Sequence, residues 1–177
     1  MIISITGTPG SGKTTIASCL RDNGEYVIDL NQYIEENGLK GHFDEERDSY
    51  SVDTDKLNTS LKDSVSTEGD VFIDGHLSHF LDCDMIIVIR CDPEVLNERL
   101  SKRDYSHEKI IENVQAEAVD VILCESLDSD AQVFEIDNTS CTPEQAASVI
   151  KDIAAGRNEM YRPGNINWWG KEMLKWF

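Results

Sequence analysis

Residues Gly7 to Thr14 read G-T-P-G-S-G-K-T and directly follow a short apolar run. The spacing matches G-x-x-x-x-G-K-[ST], in which the glycines let backbone N–H groups turn inward around an anion. Lys13 supplies a point charge for the β- and γ-phosphates, and Thr14 a hydroxyl for Mg²⁺. A helix predicted to begin at Lys13 directs its positive end at the same phosphates. The motif therefore predicts a nucleoside triphosphate site.

Two side chains at the end of a later apolar strand, V-F-I-D-G-H, are candidates for holding a metal ion and for orienting a water molecule at this site. Asp74 ends the strand, at the position where a carboxylate near a phosphate-binding loop holds Mg²⁺, usually through water. His76 could orient water or an attacking oxygen near the γ-phosphate. The alternatives are an aspartate that merely shapes the strand-end turn and a loop histidine packed beside His79.

Arg99 and Arg103 are the candidate cations for the migrating phosphoryl group. They lie four residues apart at the end of a predicted helix over 92–102, and so share one face. Phosphoryl transfer needs positive charge at the migrating group in addition to Mg²⁺ and Lys13 of the phosphate-binding loop, Gly7–Thr14, which is called the P-loop below. The short turn after Arg103 suits a lid that carries it over the bound triphosphate. The alternative is dipole compensation by Arg103 and a surface salt bridge by Arg99.

Strand and helix signals alternate along the chain. The strands are continuous apolar runs, typical of parallel strands covered on both faces, and the helices starting after Ser106 and Thr142 have good N-caps. This alternation predicts an α/β fold with a doubly wound parallel sheet. The predicted strands are 2–6, 26–29, 71–74, 85–89 and 133–136, and the predicted helices are 13–21, 31–36, 53–66, 92–102, 106–125 and 142–155.

Length, charge and cysteine content restrict the class of protein. The 177 residues fit one domain, and no run of 18 apolar residues predicts a membrane span; the first six residues lack the basic start of a signal peptide. Five cysteines without a C-x-x-C pair indicate reduced thiols in a cytoplasmic protein. The net charge of −18 argues against strong direct binding of nucleic acid and favours basic partners or a salt-adapted host.

The motifs taken together resemble the adenylate kinase isoenzyme six family, also described as the coilin-interacting nuclear ATPase and its archaeal relatives. The resemblance rests on Gly7–Thr15, on F-D-E-E at 43–46, on the strand end at 73–76 and on the run Arg103–Glu117. It implies a P-loop nucleoside monophosphate kinase with sheet order 2-3-1-4-5, the reaction ATP + AMP ⇌ 2 ADP, and ATPase activity. It further implies a role in maturation of the small ribosomal subunit through a ribosomal protein, in the cytoplasm or, in a eukaryote, the nucleus.

The resemblance also assigns residues and segments. It implies that the ATP phosphates are bound by the loop and the first turn of its helix, that Asp74 and His76 form the metal-side pair, and that Arg103 is the lid arginine. A kinase-like domain would span 1–156, with a monophosphate-binding segment at 30–53 and a lid at 102–112, followed by an aromatic tail at 157–177. The implied phosphate-binding residues are Gly10, Gly12, Lys13, Thr14 and Thr15.

The acceptor half departs from the usual pattern of monophosphate kinases. These enzymes usually place an arginine in the helix after the second strand to grip the acceptor phosphate, and the helix predicted over 31–36 carries none. Arg47 or Arg99 could substitute, although Arg47 lies in an acidic run where a salt bridge is an equal alternative. The tail, with all three tryptophans in its last ten residues, would either extend the core or anchor a partner.

Three functions follow from these features. The first is phosphoryl transfer from ATP to AMP. The second is a nucleotide-switched assembly factor, in which ATP orders the lid and the monophosphate segment, exposes a surface for a basic ribosomal protein, and is then hydrolysed. The third is a kinase of a small metabolite, such as a shikimate or nucleoside kinase, on the same core.

Overall fold

A computed structural model describes residues 1–44, 49–65, 69–170 and 175–177. Its elements follow the predicted alternation of strands and helices. The strands are β1 (Ile2–Thr6), β2 (Tyr26–Asp29), β3 (Lys40–Asp44), β4 (Ser49–Val52), β5 (Val71–Asp74), β6 (Met85–Arg90) and β7 (Gln132–Asp137). The helices are α1 (Lys13–Asp22), α2 (Leu30–Glu36), α3 (Thr54–Ser64), α4 (Pro93–Leu100), α5 (His107–Ala118), α6 (Val121–Leu127) and α7 (Pro143–Ala154).

Five strands form one parallel sheet in the order β2-β5-β1-β6-β7. Counting only the strands of this sheet, the order is 2-3-1-4-5, so the predicted doubly wound α/β fold is confirmed. The register pairs Ile5 of β1 with Asp74 of β5 and with Ile87 of β6. Because all five strands are parallel, their carboxyl ends meet at one edge of the sheet, where ligands bind in folds of this type.

Helices cover both faces of the sheet and so explain the continuous apolar strands. On one face α1 and α7 pack together over Ile3, Ile87 and Phe134. On the other, α2 and α3 cover Ile73 and its neighbours, and α6 covers Ile86. Burial of these fully enclosed side chains stabilises the sheet by about 1.5–3 kcal/mol each.

Helix starts follow the capping residues in the sequence. Ser106 accepts the Lys109 N–H at 3.2 Å, and Thr142 forms a reciprocal capping box with Gln145. The prediction of one continuous helix over 106–125 is wrong, because the structure has two helices, α5 and α6, in this range. The helical run is interrupted at Asp120, which adopts a left-handed conformation with φ of 60°, so that α6 leaves α5 in a new direction.

The polar segment after α2 contains a second, two-stranded sheet that was not predicted. β3 and β4 pair antiparallel, with Phe43 opposite Tyr50 and their ring centroids 4.9 Å apart. The hairpin could not be predicted because its strands are mostly polar and contain a glycine, so that they lack a clear alternation of apolar and polar residues. Glu45, Glu46 and Arg47 lie outside the described residues.

In the described residues, no helix has the length and apolar character needed to cross a membrane. All five cysteines are free thiols.

Candidate nucleotide site

The P-loop connects β1 to α1 at the carboxyl edge of the sheet. Gly7, Gly10 and Gly12 adopt φ of 138°, 91° and 108°, a region that side chains rarely enter. A Cβ on Gly12 would lie 2.4 Å from Nδ2 of Asn138, so the loop has no room for alanine there. Because Gly12 is the N-cap of α1 and has no side chain to cap it, the first N–H groups of the helix are left for an anion.

Lys13 is buried at the centre of this loop. Its ammonium donates to the carbonyl oxygens of Gly7 at 2.7 Å and Thr8 at 3.0 Å. Burial lowers the pKa of Lys13 to about 8, and the charges of Asp74 and Glu117 oppose that shift only in part. The lysine is therefore held inside the loop, at the place where a triphosphate would receive its charge.

Asp74 lies beside the P-loop, as the sequence predicted from its position at a strand end. It is buried, and its Oδ1 has no hydrogen-bond partner. Burial raises the pKa of the Asp74 carboxyl, while Lys13 and a hydrogen bond with Thr14 act in the opposite direction. A buried carboxylate oxygen without a donor, next to a hydroxyl, fits the oxygen ligands that Mg²⁺ prefers.

His76 lies at the rim of the same cleft, two residues beyond Asp74. Although the His76 side chain is exposed, the protein around it removes part of its hydration and so lowers its pKa, and the charges of Lys13 and His79 lower the pKa further, which favours the neutral ring. His79 lies deeper and contacts the Thr6 hydroxyl at 2.9 Å and a Glu125 oxygen at 3.1 Å. The two histidines thus occupy different places: one faces the cleft, and the other supports the end of β1.

A cleft of about 560 Å³ joins these residues to the predicted acceptor segment. The P-loop forms one wall, Asp29 and Asn31 at the start of α2 form another, and Arg103, Tyr105 and Lys109 line the side of the predicted lid. Lys109 was not singled out from the sequence, although it lies inside the predicted lid segment at 102–112, in the first turn of α5. The cleft thus extends from the P-loop to the start of α2.

A smaller hollow of about 230 Å³ lies on the other side of the P-loop. It is lined by Thr15, Arg99, Arg103, Asn138 and Pro143, among others. Arg103 therefore lines both cavities. The helix predicted to reach residue 102 ends at Leu100, so Arg103 lies in the following loop and not on the helix face.

Arg99 is directed at backbone carbonyls and not at the larger cleft. Its guanidinium donates to the carbonyl oxygens of Ser11 at 3.3 Å, Asn138 at 3.0 Å and Thr139 at 2.9 Å. Asn138 also donates its side-chain amide to the Ser11 carbonyl at 2.7 Å. In this arrangement Arg99 links the P-loop backbone to residues 138–139 after β7. A contact between Arg99 and a transferred group would require its guanidinium to leave these carbonyls. The role of Asn138 was not predicted.

A larger cavity, of about 690 Å³, is far less suited to phosphates. It lies near the amino ends of β1, β6 and β7 and is lined by the acidic side chains Asp82, Asp84, Glu125, Asp128 and Asp130. It lies away from the P-loop, and its charge would repel a triphosphate. The two cavities that share the P-loop therefore form the candidate nucleotide site.

Comparison with known proteins agrees with this geometry. The AAA domain family profile matches residues 3–120. Relatives named "Putative adenylate kinase" are 44% identical in Methanocaldococcus jannaschii, over 95% of this chain and 93% of the relative, and 40% identical in Archaeoglobus fulgidus, over 95% and 92%.

Solved structures show the same fold at low identity. A shikimate kinase from Acinetobacter baumannii in complex with shikimate has a TM-score of 0.59 at 16% identity, over 88% of this chain and 93% of that one. A deoxyadenosine kinase from M. mycoides has a TM-score of 0.56 at 16% identity, over 89% and 100%.

Proposed function

The chain belongs to the same P-loop kinase family as these archaeal adenylate kinase relatives, and we propose that it transfers the γ-phosphoryl group of ATP to AMP. The observation that carries this proposal is the single cleft shared by the P-loop and the start of α2. Such a cleft brings a triphosphate and a second phosphate-bearing substrate to the same edge of the sheet. The 44% identical relative is named for the same activity.

In the proposed complex, the β- and γ-phosphates of ATP occupy the loop around Lys13, and the adenine lies in the smaller hollow beside Arg103. AMP occupies the cleft between Asp29 and the lid. One oxygen of the AMP phosphate forms a bond to the γ-phosphorus as the bond from that phosphorus to the β–γ bridging oxygen breaks, which leaves two ADP molecules. The acceptor and donor must be held in line for this transfer.

Mg²⁺ would be held by the Thr14 hydroxyl and by Asp74, directly or through water, and would supply charge neutralisation at the phosphates. In the described residues no group of three or more His, Cys, Asp or Glu side chains could hold the ion alone. The phosphates themselves would therefore complete its coordination. The unpartnered Oδ1 of Asp74 is the feature that supports this assignment.

The protein's own residues would position the substrates and exclude water. Lys13 would leave the Gly7 and Thr8 carbonyls to contact the phosphates. His76, with its neutral ring favoured, would orient an attacking oxygen at the rim of the cleft. Arg103 and Lys109 supply positive charge from the lid side, which offsets the absence of an arginine in α2.

A second candidate is ATP hydrolysis in a nucleotide-switched cycle that acts on a small-subunit ribosomal protein during rRNA maturation in the cytoplasm. The net charge of −18 favours a basic partner, and the absence of an arginine in α2 weakens the grip on an acceptor phosphate. The same Lys13, Thr14 and Asp74 would serve both activities.

Measuring ADP formation from ATP alone and from ATP plus AMP separates the two candidates. The kinase proposal predicts that AMP accelerates ADP formation, with ADP and consumed AMP in a two-to-one ratio. CMP, deoxyadenosine and shikimate serve as alternative acceptors. An unchanged rate on adding AMP would contradict the kinase proposal and leave ATP hydrolysis. Lys13→Ala should abolish every ATP-dependent reaction, and near-normal turnover in that variant would contradict the site itself.

A further inference from the structure

The segment 164–168, beyond the last helix, is docked on a buried carboxylate. The N–H groups of Gly164, Asn165 and Ile166 donate to Oε1 of Glu135 at 2.9, 2.9 and 3.1 Å. Three consecutive N–H groups around one anionic oxygen form a concave anion site, which the positive φ of Gly164 helps to shape. The tail therefore has one defined position on the end of β7.

Trp168 continues this docking onto a second buried carboxylate, Glu117 of α5. Its indole Nε1–H donates to Oε1 of Glu117 at 3.1 Å, and its ring lies 5.8 Å from the guanidinium carbon of Arg90. Arg90 lies between the two carboxylates and donates to Glu117 at 2.8 Å and to Glu135 at 3.0 Å.

Asp120 completes the partners of Arg90. Burial opposes the charge of Arg90, but Glu117 and Asp120 outweigh burial, and the pKa of Arg90 is raised. A buried charge stays ionised only when it is paired in this way. The cluster therefore behaves as one fixed ionic unit beneath the tail.

The other oxygen of Glu117 reaches the P-loop. Oε2 accepts the Thr8 hydroxyl at 2.6 Å, and the Thr8 carbonyl in turn accepts the Lys13 ammonium at 3.0 Å. Short bonds to an ionised acceptor are about twice as strong as neutral ones. Four residues, Trp168, Glu117, Thr8 and Lys13, thus form a continuous path from the tail to the phosphate-binding lysine.

We propose that Trp168 and Glu117 are positioning residues of the nucleotide site. The tail holds the Glu117 carboxylate, and the carboxylate sets the conformation of Thr8 and so the place of the Lys13 ammonium. The indole is one of three donors to Oε1 of Glu117, beside Nε of Arg90 at 2.8 Å and the Cys91 N–H at 3.2 Å. Its removal therefore loosens the carboxylate without releasing it, and the nucleotide must then supply part of the order of the P-loop. The inference rests on ATP binding at the P-loop, which the proposed function shares, and on no feature of the acceptor.

A merely structural tail would give a different result, because it would stabilise the fold without affecting the loop. Trp168→Phe keeps an aromatic ring over Arg90 and removes only the indole donor. Trp169→Phe is the matched control, since that neighbouring side chain is 65% exposed. Thr8→Val removes the hydroxyl at the other end of the path and keeps the shape, and Thr8→Ser restores a hydroxyl.

The experiment is a double-mutant cycle on Mg-ATP affinity, measured by calorimetry on full-length variants whose unfolding temperatures are recorded in parallel. Trp168→Phe and Thr8→Val should each weaken ATP binding about fivefold, because each removes one hydrogen bond to a charged group. The double variant should lose no more than about fivefold, because both changes break the same path. Thr8→Ser should recover most of the affinity that Thr8→Val loses, and Trp169→Phe should bind ATP like the wild type.

Two results would overturn the inference while leaving the proposed function intact. One is a wild-type Kd in Trp168→Phe, whatever its unfolding temperature; the other is strict additivity of the two losses. If Trp168→Phe does not fold, tryptophan emission in a variant carrying both Trp169→Phe and Trp176→Phe, which retains only Trp168, provides the measurement. Saturating Mg-ATP should change this emission, and adding Thr8→Val should remove the change. An unchanged emission would count against the path. Absence of ATP binding in the wild type would instead refute the proposed function.

Discussion

The ammonium of Lys13 lies 2.7 Å from the carbonyl oxygen of Gly7, the first residue of its own loop. Carbonyl oxygens of the loop thus accept from the ammonium group that should meet a triphosphate. Burial lowers the pKa of Lys13 to about 8. A triphosphate would favour the charged lysine, so ATP binding should draw a proton onto Lys13 whenever the pH is above that value.

ATP affinity should therefore depend on pH with a definite sign. Binding raises the pKa of Lys13, so affinity is fully present below pH 8 and is lost as the pH rises further, by up to about tenfold per pH unit. The measurement is calorimetric Kd between pH 7 and 9.5, with proton uptake read from buffers of different ionisation enthalpy. Lys13→Arg should bind ATP more weakly but with a flat profile, because arginine stays charged. A flat wild-type profile would contradict the assignment.

The buried carboxylate of Asp74 should lower the stability of the folded protein while it supports Mg²⁺ binding. Burial raises the pKa of its carboxyl, so ionisation destabilises the folded state above the ordinary pKa of 3.8. Asp74→Asn should raise the unfolding temperature of the protein at pH 7 in the absence of Mg-ATP, and this gain should vanish below pH 3.8, where both the folded and the unfolded state hold the proton.

The same change should remove most of the stabilisation that Mg-ATP gives the wild type, because the carboxylate no longer supports the ion. Thermal unfolding with and without Mg-ATP measures both effects. Asp63→Asn, at an exposed position near the end of α3, controls for the change in net charge. Equal Mg-ATP stabilisation in Asp74→Asn and the wild type would exclude a metal role for Asp74.

The sequence was sufficient to predict the fold and the position of the P-loop, because the signals for both are local. The P-loop, the strand ending in Asp74 and the capping residues Ser106 and Thr142 each carry their structural meaning within a few residues. The parallel sheet order came from the family resemblance, and the structure confirms it. The break at Asp120 was missed because an apolar pattern of helical period continues across it.

The buried ionic cluster could not be predicted, because its members come from distant parts of the chain. In the sequence, Arg90, Glu117 and Glu135 have the pattern of surface charges that lie next to apolar runs. Only the fold brings them together, with exposures of 1–2%. A charged residue directly after five buried strand positions, as at Arg90, was the one local indication. Asn138 was missed for the same reason, since its contact with Ser11 spans 127 residues.

The close approach at Gly12 predicts a severe and local effect of one methyl group. Gly12→Ala would place a Cβ 2.4 Å from the Asn138 amide, at a φ of +108°, and would break the contact of Asn138 with Ser11. We expect ATP affinity to fall more than about tenfold and the protein to lose about 2 kcal/mol of stability.

Gly24→Ala is the matched control for Gly12→Ala. Gly24 has a φ of +86° with nothing within 4 Å of the added carbon, so it carries the backbone strain alone, about 1–2 kcal/mol. ATP affinity should stay at the wild-type value. Calorimetry and thermal unfolding of both variants test the pair, and similar ATP affinities in the two would show that the Asn138 contact is unimportant for the loop.

Arg103 provides the test of the lid, because it lines both cavities and lies in the loop after α4. Its side chain is exposed, so Arg103→Ala should leave the unfolding temperature within about 1 °C of the wild type. Nucleotide affinity should fall about tenfold or more, because a charged contact to nucleotide is lost. The matched control is Lys102→Ala, which removes an adjacent exposed charge. If the two variants lost affinity equally, Arg103 would act only through the general electrostatic field, and the lid assignment would be wrong.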